Sequence, residues 1–127
     1  MTERTSIAED TPTSITALEE VTAQAIDFDK LLLDAIDETL MRLFNETAVK
    51  SIYFYLERIC HLRREEIPKK PDFFSNSLRR LLGSGATIIE DGILKKLYFK
   101  LDLQLAEEQG YEFPDYIHEL RDKYGSS

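Results

Sequence analysis

The sequence predicts an all-α fold: a compact, orthogonal or irregular bundle of about five helices behind a disordered N-terminal tail. Three observations predict it. From Asp27 onward, apolar residues recur at helical spacing, as in Phe28, Leu32, Ala35, Ile36 and Leu40. No strand-like alternation of apolar and polar residues competes with that period. After the second stretch, the breaks between periodic stretches fall where proline or glycine stands, at Pro68, Pro71, Gly83, Gly85, Gly110 and Pro114. At 127 residues, with 43% hydrophobic and 31% charged, the chain can build one core and a tail.

Residues 1–26 are rich in threonine, serine, glutamate and alanine, with few large apolar residues. They cannot bury enough surface to offset their ordering entropy, so a flexible acidic tail is expected. Ile15, Leu18 and Val21 allow a nascent helix near Ile15–Ala25, with Ser14 as its cap. The domain proper is expected over residues 27–124. Its first helix follows Asp27, a plausible N-cap, and carries one apolar stripe with Asp34, Asp37, Glu38 and Arg42 mostly on the wet side. Asn45 can end that helix or cap the next.

A second helix is expected over roughly Glu46–Leu62. Ala48, Ile52, Leu56 and Ile59 line one edge; Val49, Tyr53 and Cys60 line the adjacent one. Tyr53, Phe54 and Tyr55 are consecutive and must point in different directions, so at least one belongs to the surface. Pro68 and Pro71 bracket two lysines in a connector, and Pro71 suits the first turn of a third helix, followed by Asp72. Phe73, Phe74, Leu78, Leu81 and Leu82 form that helix's stripe. Gly83 stands at the position of a left-handed C-terminal cap, and Ser84 or Gly85 can cap the fourth helix, Ala86–Leu101.

Ile89, Ile93, Leu94, Leu97, Tyr98 and Leu101 should face inward on that fourth helix. Gly92 in its middle fits either a tolerant surface position or the close approach of another helix. Asp102–Gly110 is expected to be a loop with a helical turn. Pro114 can open a last helix using Tyr116, Ile117, Leu120 and Tyr124, and residues 125–127 should fray.

Composition excludes several classes. The single cysteine, Cys60, permits no intrachain disulfide. The N-terminus lacks the basic and apolar regions of a secretory signal, and no run of about 18 apolar residues suggests a membrane span. A cytoplasmic protein without membrane contact is expected. Cys60, His61 and His118 are the only soft or imidazole ligands, without metal-binding spacing. Asp115, Glu119 and Asp122 beside His118 read as a solvated helix face. Cys60 lies in line with Val49 and Tyr53, as a buried small hydrophobe would. The pairs Glu65-Glu66, Glu90-Asp91 and Glu107-Glu108 diverge around a helix and read as solvated surface rather than acid/base machinery. Gly83-Ser84-Gly85 belongs to no P-loop or dinucleotide fingerprint. Neither a catalytic residue, a cofactor nor a metal is expected.

Charge is uneven. The net charge is −8, but residues 58–100 hold ten bases against five acids. Arg79, Arg80, Lys95, Lys96 and Lys100 flank the glycine corner and are the candidate contacts to a phosphate or a partner. Helix, glycine turn, helix is also the outline of DNA-binding motifs. Against that stand Ser84 where a helix-hairpin-helix wants an apolar residue, and Glu90 and Asp91 early in the would-be recognition helix.

The run Glu66-Ile67-Pro68, Pro71, Phe74, Leu78, Leu82, Gly83, Gly85-Ala86, Ile89-Glu90, Ile93 and Leu97-Tyr98 resembles the fifth class of Nitrosopumilus output domains, over roughly Asp27–Tyr124. These are archaeal helical modules, often fused behind sensory or receiver-like domains. The resemblance implies a signalling output or interaction role in an archaeal cytoplasm and brings no active-site residue. The acidic tail occupies the place of the usual sensor, which suggests a partner supplied in trans. The expected function is thus a non-enzymatic signalling, regulatory or protein-interaction module. A protein partner is expected, with a homodimer as one form. Aromatics beyond the needs of one small core support it: Tyr53, Phe54, Tyr55, Phe99, Tyr111 and Phe113. The alternative is a nucleic-acid-binding regulator using the basic region 63–100.

Overall fold

Helical periodicity from Asp27 onward resolves, in the computed structural model, into five α-helices and one 3-10 helix; the structure describes residues 27–125. The expected tail over 1–26, including the segment around Ile15–Ala25, and residues 126–127 of the expected frayed end lie outside the described residues. The elements are α1 (Phe28–Leu43), α2 (Glu46–Arg58), the 3-10 helix (Arg64–Lys69), α3 (Pro71–Leu82), α4 (Gly85–Lys100) and α5 (Phe113–Tyr124). No strand occurs among the described residues. The fold is all-α, and no helix among the described residues is long and apolar enough to cross a membrane.

Both expected N-caps form. Asp27 accepts from the Lys30 amide at 3.1 Å and Asn45 from the Ala48 amide at 2.8 Å, each satisfying a helix-end donor that would otherwise lack a partner. The most extensive packing joins α1 to α4. Ala35, Ile36 and Leu40 of α1 meet the same core as Ile89, Ile93 and Leu97 of α4, and all are buried. α3 packs on both α4 and α5, with the Phe74 and Phe113 rings 6.1 Å apart.

Helix α2 ends at Arg58, short of the expected Leu62. His61 takes a positive φ of 59°, a conformation in which histidine is enriched among non-glycine residues. The chain turns back there, and the Leu62 amide donates to the Leu56 carbonyl at 2.8 Å. Cys60 and Leu62 are thereby buried while Ile59, expected on the apolar edge, is exposed. The connector is also more ordered than its prolines suggest. It forms the 3-10 helix, opened by Glu66 accepting from the Arg63 amide at 2.9 Å, with Ile67 and Pro68 buried. Pro71 is the first residue of α3, as expected. Phe73, expected on the stripe of α3, is exposed.

Gly83 has φ 60° and ψ −133°. That φ combined with that ψ is a conformation only glycine adopts readily, and it is not the expected left-handed cap. Gly85 has no such requirement: an added Cβ would meet only Leu82 Cβ, at an ordinary 3.7 Å. Ser84 makes no side-chain cap bond. Of the two alternatives for Gly92, close approach is correct. A Cβ there would lie 2.8 Å from Thr39 Cγ2 on α1. Residues 103–108 contain no helical turn, although Leu103 and Leu105 pack against the core.

Two polar clasps hold the outer elements. Tyr53 of α2 donates its hydroxyl to Asp37 of α1 at 2.5 Å, and Arg64 of the 3-10 helix grips the same carboxylate through Nε and Nη2. Burial, then the hydrogen bond to Asp37, drives the Tyr53 pKa well above the usual tyrosine range. Arg121 of α5 donates to the Pro68 carbonyl at 2.5 Å and lies 3.1 Å from Asp29. Tyr53→Phe removes one donor to a charged acceptor and leaves Arg64 in place. It should destabilise the fold by about 1.5 kcal/mol in urea unfolding, with an unchanged m-value.

Candidate functional site

Helix α4 turns two different faces outward around its buried stripe. Ile88 and Phe99 lie about three turns apart on one face and are exposed, at 64% and 80%. Beside it, Asp91, Leu94 and Lys95 form one wall of a cleft of about 440 Å³. The end of α3 contributes Arg79. The far wall comes from Leu105, Glu107 and Glu108 of the α4–α5 loop, then Tyr111, Glu112, Phe113 and Tyr116. The loop is held in place because the Glu108 amide donates to the Tyr116 hydroxyl at 2.9 Å, and the Tyr111 and Tyr116 rings meet edge to face at 5.0 Å. The start of α5 is fixed by Asp115, which accepts from the Glu112 amide at 2.8 Å.

Glu90 lies at the floor of this cleft and is only 3% exposed. One carboxylate oxygen accepts the Ser75 hydroxyl, and the other accepts from Arg79 Nη2 at 2.9 Å. Burial raises its pKa above the ordinary glutamate value; Ser75 and Arg79 oppose the rise, while Asp91 and Glu112 add to it. The expectation that Glu90-Asp91 is a solvated pair is therefore half wrong: Asp91 is exposed and Glu90 is not. A signal was present. Glu90 stands four residues after Ala86, three before Ile93 and seven before Leu97, within the inward stripe. Ser75 and Arg79 are spaced four apart on α3, so both can reach one partner.

The five candidate basic residues are not gathered into one unpaired surface. Arg79 is bonded to Glu90, while Lys96 and Lys100 lie 3.7 and 2.7 Å from Glu38 of α1. Arg80 and Lys95 are exposed, and no carboxylate lies within 4 Å of either among the described residues. Of the turn residues, Pro68 and Pro71 are buried, and Gly83 makes the corner between α3 and α4.

His118 pairs across to α3, with Nε2 2.6 Å from Asp72 Oδ1, rather than with the carboxylates of its own helix. Among the described residues no group of three histidine, cysteine or carboxylate side chains is placed to hold a metal. Of the six aromatics that suggested an interface, Phe113 is buried and Tyr53 and Tyr55 pack against the core. Phe54, Phe99 and Tyr111 are exposed. The chain matches no family model, no curated protein and no solved structure.

Proposed function

We propose that this chain is a non-enzymatic interaction module that acts as a signalling or regulatory output by binding another protein, a second copy of itself included. The observation that supports it best is the outer face of α4, where Phe99 and Ile88 stand in solvent. On one face of a well-formed helix, about three turns apart, they offer two separate apolar anchors for a partner to cover. The likeness of the Glu66–Tyr98 pattern to archaeal output domains supports the same reading and a cytoplasmic setting. A catalytic reading would start from Glu90, but both of its oxygens already accept hydrogen bonds.

The nucleic-acid alternative loses part of its charge support, since Arg79 is paired with Glu90 and Lys96 and Lys100 share Glu38. No mobility shift with DNA or RNA is expected even at low salt, where such binding is strongest. Light scattering on the purified chain, with capture from an archaeal lysate, tests the main reading. The expected result is a dimer or a specific retained protein, lost when Ile88 and Phe99 are both changed to serine. A strictly monomeric chain that retains nothing sensitive to those changes overturns it.

A further inference from the structure

We propose that the cleft between α4, the α4–α5 loop and α5 docks a lysine- or arginine-bearing segment of a protein partner. The inference rests on the binding-module reading and adds the chemistry of what is bound. It is carried by the cleft's shape and charge taken together. The lining holds five carboxylates against two bases; Arg79 and Glu90 pair with each other, which leaves Asp91, Glu107, Glu108 and Glu112 against Lys95. Asp91, Glu107 and Glu108 are exposed at the rim, where they can meet an ammonium or guanidinium group without being stripped of water beforehand.

The rest of the lining suits the other part of such a side chain. Leu94 and Leu105 offer apolar contact to a methylene stem, and Tyr111 offers an aromatic ring to a cation. The volume, about 440 Å³, is that of a small-ligand cleft, large enough for an extended basic side chain and its neighbours. The local field agrees in sign: Tyr111 has its pKa raised, first by Glu119, which stands beside the cleft on α5, then by burial and by Glu108 of the lining.

Other occupants fit less well. Nucleic acid has the wrong sign for this lining. Residues 1–26 of this chain hold five acids and one base, so the same carboxylates repel them. A metal lacks a ligand set among the described residues. A basic peptide satisfies the charge, the stem and the ring at once.

The test is a titration of the full chain into fluorescein-labelled oligolysine, followed by anisotropy at low salt. Saturable binding that weakens with added salt is expected. The variant D91N/E107Q/E108Q should weaken it about tenfold, and Y111A about threefold. The variant E46Q/E57Q/D122N removes the same charge elsewhere and should change it less than about twofold. Circular dichroism confirms that each variant keeps its helices. Equal weakening by both triple variants means diffuse attraction to an acidic protein and overturns the proposal. Spermine binding as tightly as the peptide makes the ligand a free polycation, which also overturns it. A chain that dimerises or retains a lysate partner but takes no oligolysine overturns the cleft assignment alone. A chain that does none of these overturns the module reading as well.

Discussion

Replacing Gly92 by leucine should destabilise the protein by about 3 kcal/mol, near the upper end of what overpacking a core position costs. The cause is the crossing of α1 and α4, the most extensive helix contact in the fold. Any Cβ at position 92 enters the space of Thr39 Cγ2, at 2.8 Å. Thr39 is 3% exposed, and its β-branched side chain has few rotamers in a helix, so it cannot swing aside freely. Its hydroxyl is also buried without a hydrogen-bond partner among the described residues, which is itself unfavourable. Glycine in a helix interior costs about 1 kcal/mol relative to alanine, so this position has gained close packing at the expense of local propensity.

That conflict makes a sharper test than the leucine variant alone. Gly92→Ala gains propensity but meets the threonine methyl, and should be neutral to mildly destabilising. Thr39→Ala removes both the methyl and the unpaired hydroxyl, and should be close to neutral. Together they should be more stable than the sum of their separate effects by about 1 kcal/mol or more, because the collision exists only when alanine at 92 faces threonine at 39. Urea unfolding of the four proteins measures the coupling. Additivity within about 0.5 kcal/mol, the usual result for independent sites, would show that the crossing is looser than the 2.8 Å approach implies.

The helices were legible because their causes are local. The Phe28–Leu40 stripe, the caps at Asp27 and Asn45, and Pro71 at a helix start each depend on residues within one or two turns. The points that were not legible depend on partners distant in sequence or on backbone choices without a strong residue signature. Helix α2 stops because His61 adopts a positive φ, which a histidine can do but does not announce. Gly92 fitted two readings until Thr39, far along the chain, was found against it. Charge misled in the same way. Arg79, Lys96 and Lys100 looked like one basic surface in a linear count, yet each meets a carboxylate from another helix. The cleft was hidden because its walls come from separate elements, and its acids are unremarkable until the α4–α5 loop brings them to face α4.

Glu90→Ala should destabilise the fold by about 3 kcal/mol. Breaking a fully buried ion pair typically costs 3–5 kcal/mol; the lower figure applies because the Arg79 side chain is 42% exposed and can turn to water. What remains is a buried Ser75 hydroxyl without its acceptor and a void where the carboxylate stood. Glu90→Gln should cost only about 1 kcal/mol, because the amide oxygen can still accept one of the two bonds. The pH dependence separates these effects from simple packing. Burial raises the folded-state pKa of Glu90 above its unfolded value. The folded protein therefore holds this proton more tightly than the unfolded chain. The stabilisation from that proton is fully present below the ordinary glutamate range and is lost as pH rises through the elevated pKa. Wild type should gain stability relative to Glu90→Gln as pH falls from neutral through that window, the reverse of what a carboxylate with a depressed pKa would do. Chemical unfolding of both proteins at several pH values reads the difference directly. A flat difference, or one that favours wild type at higher pH, would mean that Arg79 and Ser75 outweigh burial and that Glu90 is held as an ordinary ion pair.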